Sequence, residues 1–243
     1  MVYSKRLDGR KFDETREIEA KVGIVKNADG SAMFRIGKTV AYAAVYGPRN
    51  LHPKFLQNPK KGVLRCRYNM MPFSGSGNRV RPGGNRRSKE ISMVIMNALL
   101  PSVNIDDFPN SVVDVFIELP QTDAGTRCAG ICAASMALAQ AGIPMKDLVS
   151  SVGVGIVDGT VVADLEYAEE AYEKGDVADI PLAFMPRSGK ITLLQTDGII
   201  SKKNFLSAVS LGRKVCERIN DVQVKALKDF FSLDDVVEGK KGD

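Results

Sequence analysis

Gly125, Thr126 and Arg127 stand where a β-rich run gives way to a run of small residues. Residues 112–119 (Val-Val-Asp-Val-Phe-Ile-Glu-Leu) read as a strand and residues 126–141 as a helix. The strand thus delivers a glycine and a threonine to a helix start, with an arginine in the first turn. Unpaired N–H groups and the positive end of the helix dipole attract an anion there, and a guanidinium can clamp one with two parallel bonds. Phosphate binding is the chemistry this spacing suits. The competing reading is a plain cap, with Thr126 closing the helix and Arg127 in solvent.

Charge on either side of this junction gives it context. Residues 31–89 contain 13 Lys/Arg and no Asp or Glu, whereas the remainder carries 21 basic and 29 acidic residues. A one-signed block of that length reads as a polyanion track, most simply for nucleic acid; a basic face against an acidic neighbouring protein is the alternative. Within the block, alternation over residues 63–70 puts Arg65 and Arg67 on one strand face and Leu64, Cys66 and Tyr68 on the other, with Tyr68 read as core. Arg86 and Arg87 open a helix whose Ile91, Val94, Ile95, Ala98 and Leu99 share one face. Cations at a helix start run against the dipole and suggest an external anion. Arg79 and Arg81 lie in a Gly/Pro-rich loop between these elements. After the junction comes an acidic segment with Asp164, Glu166, Glu169, Glu170, Glu173, Asp176 and Asp179, opposed only by Lys174. Glu169 and Glu173 read as a solvated face.

Several classes are excluded. The single histidine, His52, leaves no histidine-rich zinc site and little room for Ser-His or Cys-His catalysis. The cysteines, Cys66, Cys128, Cys132 and Cys216, form no CxxC pair and suit a reduced compartment. The first residues lack the apolar stretch of a secretory signal, and no apolar run is long enough to span a bilayer. A cytoplasmic protein is expected, without a membrane partner. Chemistry must run on carboxylates, arginines and a bound metal if there is one.

The elements that must hold these residues follow from periodicity. Residues 17–25, 32–36 and 39–46 read as strands, the first two joined by the Asn27-Ala28-Asp29-Gly30 hairpin signal and the third closed at Gly47-Pro48. Residues 149–157 and 160–162 form a second hairpin around Asp158-Gly159. Residues 182–185 and 191–195 are two further strands, and a helix follows from Lys202 to about Phe231. Adjacent strands preclude a strictly alternating parallel sheet, so the class is α+β, mixed β-sheets with packed α-helices and a long C-terminal helix. One domain spanning residues 1–243 is expected, with frayed tails at 1–5 and 234–243.

The motifs Arg6-Leu7-Asp8-Gly9-Arg10, Ala28-Asp29-Gly30-Ser31-Ala32, Val45-Tyr46-Gly47-Pro48-Arg49, Arg86-Arg87-Ser88, Gln121-Thr122-Asp123-Ala124-Gly125-Thr126-Arg127, Ala141-Gly142-Ile143-Pro144-Met145 and Ala178-Asp179-Ile180-Pro181 occur in this order over nearly the whole chain. With them the sequence resembles the RNase PH family, most closely its catalytic branch in the archaeal exosome ring. The resemblance implies an RNase PH-like fold and 3′-to-5′ phosphorolysis. Inorganic phosphate, the co-substrate, attacks the last phosphodiester of single-stranded RNA and releases a nucleoside diphosphate, with tailing as the reverse.

By the same resemblance Gly125, Thr126 and Arg127 hold the attacking phosphate, and Arg86 and Arg87 the RNA backbone, with Arg65 and Arg67 contacting RNA nearby. Asp164 is the acid or a ligand of a divalent metal (Mg or Mn), supported by Asp179, which shares the metal role. The second aspartate of active relatives, six residues after the first, is replaced here by Glu170. The implied partners are single-stranded RNA, a second RNase PH-like subunit in a hexameric ring of three heterodimers, and RNA-binding cap subunits; residues 50–62 would line the neck of the ring channel. The rival functions are a non-catalytic ring scaffold, a stand-alone RNase PH trimming tRNA ends, and a metal-dependent hydrolytic nuclease.

Overall fold

Alternating strands with one apolar face need a partner layer, and the run of small residues at 126–140 supplies it. The computed structural model describes residues 3–77, 80–81, 83–173 and 175–238; Arg79, Lys174 and the last five residues lie outside them. In the first sheet, β1 (Ile18–Val22), β2 (Gly30–Ile36), β3 (Thr39–Asn50), β5 (Ser111–Gln121) and β4 (Val63–Met70) lie in that spatial order. Only the β4–β5 pair is parallel. The second sheet places β7 (Thr160–Ala163), β6 (Ser150–Val157), β8 (Val177–Met185) and β9 (Lys190–Leu194) side by side, all antiparallel. The α+β class is borne out.

Helix α2 (Thr126–Gln140) packs against β2 and β3 of one sheet and β6 of the other. Its Ala, Gly, Cys and Ser side chains are short enough for backbones to approach on several sides, and nearly all are buried. Helix α1 (Arg86–Leu99) covers β4 with Ile91, Ile95, Ala98 and Leu99, and Asn85 caps it in a capping box with Ser88. Helix α4 (Lys202–Glu238) lies across β6 and β1. A Cβ on its Gly212 would stand 2.4 Å from Leu182 Cδ1, so glycine is required for that approach. The apolar core is continuous from Phe34 and Ile117 to Leu182 and Ile219.

Several element boundaries differ from the sequence reading, among them the start of β8, at Val177 and not at residue 182. Strand β3 passes through Gly47-Pro48 to Asn50, with a register shift between Tyr46 and Arg49 that absorbs the proline. Helix α4 extends beyond Phe231, into what was expected to be frayed tail. At the other end Tyr3 is 5% exposed and packs on Phe12 and Tyr172, so the chain is anchored within its first five residues.

Candidate active site

Strand β5 ends at Gln121, and the next turn is pinned from two directions. Thr39 Oγ1 donates to Ala124 O at 2.8 Å and accepts from Asp123 N at 3.1 Å. Arg16 Nη2 donates to Ala124 O at 3.2 Å. Gly125 then adopts φ +72°, a left-handed conformation that glycine takes without strain, and is itself the N-cap of α2. Thr126 is therefore the first helical residue and buried, and no side chain caps the helix. The plain-cap reading of Thr126 is overturned, because a glycine in the cap position leaves the first-turn N–H groups without a side-chain acceptor. Arg127 is half-buried, its Nη1 donating to Gln195 Oε1 at 2.5 Å.

These residues line a cleft of about 420 Å³, with Arg87 at one side and Glu170 and Asp179 across from them. Glu170 lies on the short helix α3 (Tyr167–Glu170) after β7. Burial, with the charge of Asp179 adding, pushes its carboxyl up to about 7. Asp179, on β8, is also raised by burial, with Asp197 adding to the effect and Arg127 opposing it. Asp179 and Asp197 exchange backbone hydrogen bonds of 2.8 Å, which brings the Asp197 carboxylate to the cleft beside those of Asp123, Glu170 and Asp179. Cys128 also lines it, but burial holds its thiol at about 12, so it is no nucleophile.

Asp164 is not among the cleft residues. It is 2% exposed, and its carboxylate accepts from Arg16 Nε at 2.9 Å, Nη2 at 2.7 Å and the Arg16 backbone N at 2.8 Å. Arg10 Nη1 lies 3.4 Å from it as well. A carboxylate so enclosed by donors presents no open face to the cleft. Asp164 thus lies behind the cleft lining, held by Arg16 and Arg10, whereas the sequence reading placed it at the reacting centre.

Glu169 is corrected in the opposite direction, from solvated face to buried ion pair. Arg6 Nε and Nη2 donate to its two oxygens at 2.9 and 2.7 Å, and Tyr3 Oη donates at 2.8 Å. The remaining Arg6 donors are met by the carbonyls of Glu14, Ala163 and Asp164. Removing the charge from Glu169 strands a buried guanidinium, so Glu169→Gln should lower unfolding free energy by about 3–5 kcal/mol in a urea titration.

The other cations divide. Arg86 is exposed beside Arg87 at the α1 start but does not line the cleft. Arg65 and Arg67 sit on the outer face of the first sheet. There Arg65 forms a bidentate pair with Asp114 (2.7 and 2.7 Å), while Arg67 lies over the Phe116 ring at 5.9 Å and is exposed. Arg67 keeps its donors open, whereas Arg65 commits its Nε and Nη2 to Asp114. A larger hollow of about 630 Å³ on the same face is lined by Met33, Val40, Tyr42 and Phe116, and its Lys21 and Arg35 are paired with Glu19. It lacks the convergent donors an anion needs.

Among the described residues no group of three or more His, Cys, Asp or Glu comes together as a metal site. Asp179 and Asp197, paired through their backbones, leave two carboxylates at the cleft, a donor set that suits a Mg²⁺ or Mn²⁺ ion shared with substrate phosphates rather than held in a cage.

The 3′ exoribonuclease family matches the chain twice, with its domain 1 over residues 14–144 and its domain 2 over residues 147–215. The chain belongs to the RNase PH family of 3′ exoribonucleases. Among relatives, the exosome complex component Rrp41 of Thermococcus kodakarensis is 51% identical over 98% of this chain and 94% of its own length. That of Methanopyrus kandleri is 50% identical over 94% of each. Of solved structures, rice (Oryza sativa) Rrp46 superposes with a TM-score of 0.81 at 27% identity, covering 92% of this chain and all of the other. A chain of the Archaeoglobus fulgidus exosome with RNA bound to the active site shares the fold, with a TM-score of 0.75 at 21% identity over 90% of this chain and 92% of that one.

In RNase PH family terms, the helix start at Thr126 comes from domain 1 and Glu170, Asp179 and Asp197 from domain 2, so the cleft is built at the junction. The arginine block and the helix start were visible in the sequence. Arg16, Thr39, Gln195 and Asp197 were not, because a place in or beside a strand does not say which side chain reaches the cleft. Only Arg6, inside Arg-Leu-Asp-Gly-Arg, carried a signal.

Proposed function

We propose that this chain is the phosphate-dependent 3′-to-5′ exoribonuclease subunit of an exosome-type ring, working as one domain with a second RNase PH-like subunit and RNA-binding caps, in the cytoplasm. The carrying observation is that an uncapped helix start with Arg127 and the half-buried Glu170 carboxyl, raised by burial, line one cleft. The names of the Rrp41 relatives support the ring assignment.

The first-turn N–H groups and Arg127 hold inorganic phosphate, while Arg87, with Arg86 outside it, holds the RNA backbone at the chain end. Arg67, exposed on the outer face of the first sheet, adds a contact to the strand. Two anions must come within bonding distance, and fixed cations and dipoles offset their repulsion. An oxygen of the held phosphate attacks the last phosphodiester phosphorus and the bond to the preceding 3′ oxygen breaks. The former inorganic phosphate leaves as the β-phosphate of a nucleoside diphosphate. Glu170, protonated up to about pH 7, gives its proton to the departing 3′ oxygen. Asp179 keeps that proton on Glu170 by its own charge. A divalent metal held by Asp179 and Asp197 with the phosphates would supply charge neutralisation at the leaving oxygen, with the proton left on Glu170. The cleft runs in reverse when nucleoside diphosphate is in excess, adding a tail.

The test is incubation with 3′-labelled single-stranded RNA, with and without phosphate, alone and with the ring partner. Nucleoside diphosphates should appear only with phosphate. Monophosphates without phosphate would mean water is the nucleophile; no decay in any arm would mean a scaffold.

A further inference from the structure

We infer that Arg16 and Asp164 form a brace that sets the phosphate loop against the Glu170 carboxylate, acting as positioning residues for phosphate rather than as catalysts; this rests on the phosphate-site reading above. Arg16 precedes β1, and one side of its guanidinium belongs to the loop: Nη2 donates to Ala124 O at 3.2 Å and Nη1 lies 3.3 Å from Asp123 Oδ2. A Cβ on Gly125 would stand 3.5 Å from Nη2, so the guanidinium lies directly under the turn that opens α2. Its other side belongs to Asp164, at the end of β7, with Nε and Nη2 meeting the two carboxylate oxygens.

Asp164 adopts φ +51°, an uncommon left-handed conformation for a residue with a side chain, and its backbone N–H is three residues from the turn into α3. Its carbonyl is held in turn by Arg6 Nη2 at 2.8 Å. One planar, five-donor group therefore touches both the loop of domain 1 and the strand end of domain 2 that leads to Glu170. A guanidinium has fixed width and fixed bond directions, so the two sides are held at one separation. A buried ion pair adds little net stability over an apolar pair of the same shape, so geometry is the better account of why one is buried here.

The experiment is titration of the full chain with inorganic phosphate by calorimetry, with single-stranded RNA binding as the control. Arg16→Lys, which keeps the charge and loses the fork, and Asp164→Asn should each weaken phosphate binding about tenfold with RNA affinity within about twofold. Because each single change strands a buried partner, the double change R16M/D164L, which removes both charges, is measured alongside. It should stay folded by circular dichroism and show the same loss of phosphate affinity. Folded variants with unchanged phosphate affinity would overturn the brace, as would parallel loss of phosphate and RNA binding. Brace-dependent phosphate binding by a protein that releases no nucleoside diphosphate would leave the brace standing and sink the phosphorolysis reading instead.

Discussion

Arg127→Ala should lower phosphate-dependent nucleoside diphosphate release by about 10³-fold while RNA affinity changes by no more than about twofold. The size follows from where the guanidinium sits. It is half-buried, fixed by Gln195 and the first-turn geometry of α2, and its remaining donors face a cleft whose other lining cation is Arg87. A preorganised charge in such a place needs no rearrangement when the attacking phosphate approaches the RNA phosphate, and no other side chain can replace its fork. RNA binding depends instead on cations spread over the acid-free block, to which Arg127 does not belong, so its loss subtracts little from that binding. Arg127→Lys should fall between the two, since charge is kept but two-point binding is not. Initial rates against phosphate concentration, with RNA binding by fluorescence anisotropy, measure both quantities. Equal losses in both would refute the division of roles between Arg127 and the arginine block.

The same comparison shows what a sequence can disclose about such a site. Short-range physics was legible: the strand, the glycine and the small-residue helix lie next to one another, so the helix start could be read from residues 112–141. The α+β class followed from strand alternation and a long amphipathic helix for the same reason. The roles of the acids were not legible, because they are decided by partners far along the chain. Asp164 is consumed by an arginine 148 residues earlier and Glu169 by one 163 residues earlier. Adjacent glutamates thus end in opposite environments, Glu169 locked to Arg6 and Glu170 turned to the cleft, although their local sequence is nearly the same. Gln195 and Asp197 reach the site only because β9 pairs with β8, and such pairing has no local signature. Thr126 misled in a different way: threonine is a common cap, but the preceding glycine already occupies that position.

Glu170 carries the second large effect, and its sign differs between activity and stability. With its carboxyl raised to about 7 by burial and by Asp179, Glu170 keeps its proton through the range where an ordinary carboxyl, near 4.5, has lost it. The acid form is the one that serves the departing oxygen, so the rate should hold below pH 7 and fall by about tenfold per unit well above it. Glu170→Gln removes the transferable proton and should cost about 10²–10⁴-fold in turnover, with the descending limb of the pH profile gone. For stability the folded chain holds this proton up to about 7 while the unfolded chain releases it near 4.5. Unfolding therefore becomes easier as pH rises from about 4.5 through 7, and the loss is complete above that window. Glutamine has no charge to desolvate. At pH 8 the Glu170→Gln protein should be more stable than its parent, by about 1 kcal/mol once solvent screening of this half-buried group is allowed for. At pH 4 the two should be equal. An inactive variant that gains stability only at high pH would identify Glu170 as a strained, proton-holding acid, whereas a variant with full activity and an unchanged pH profile would move the proton donor to Asp179 or Asp197.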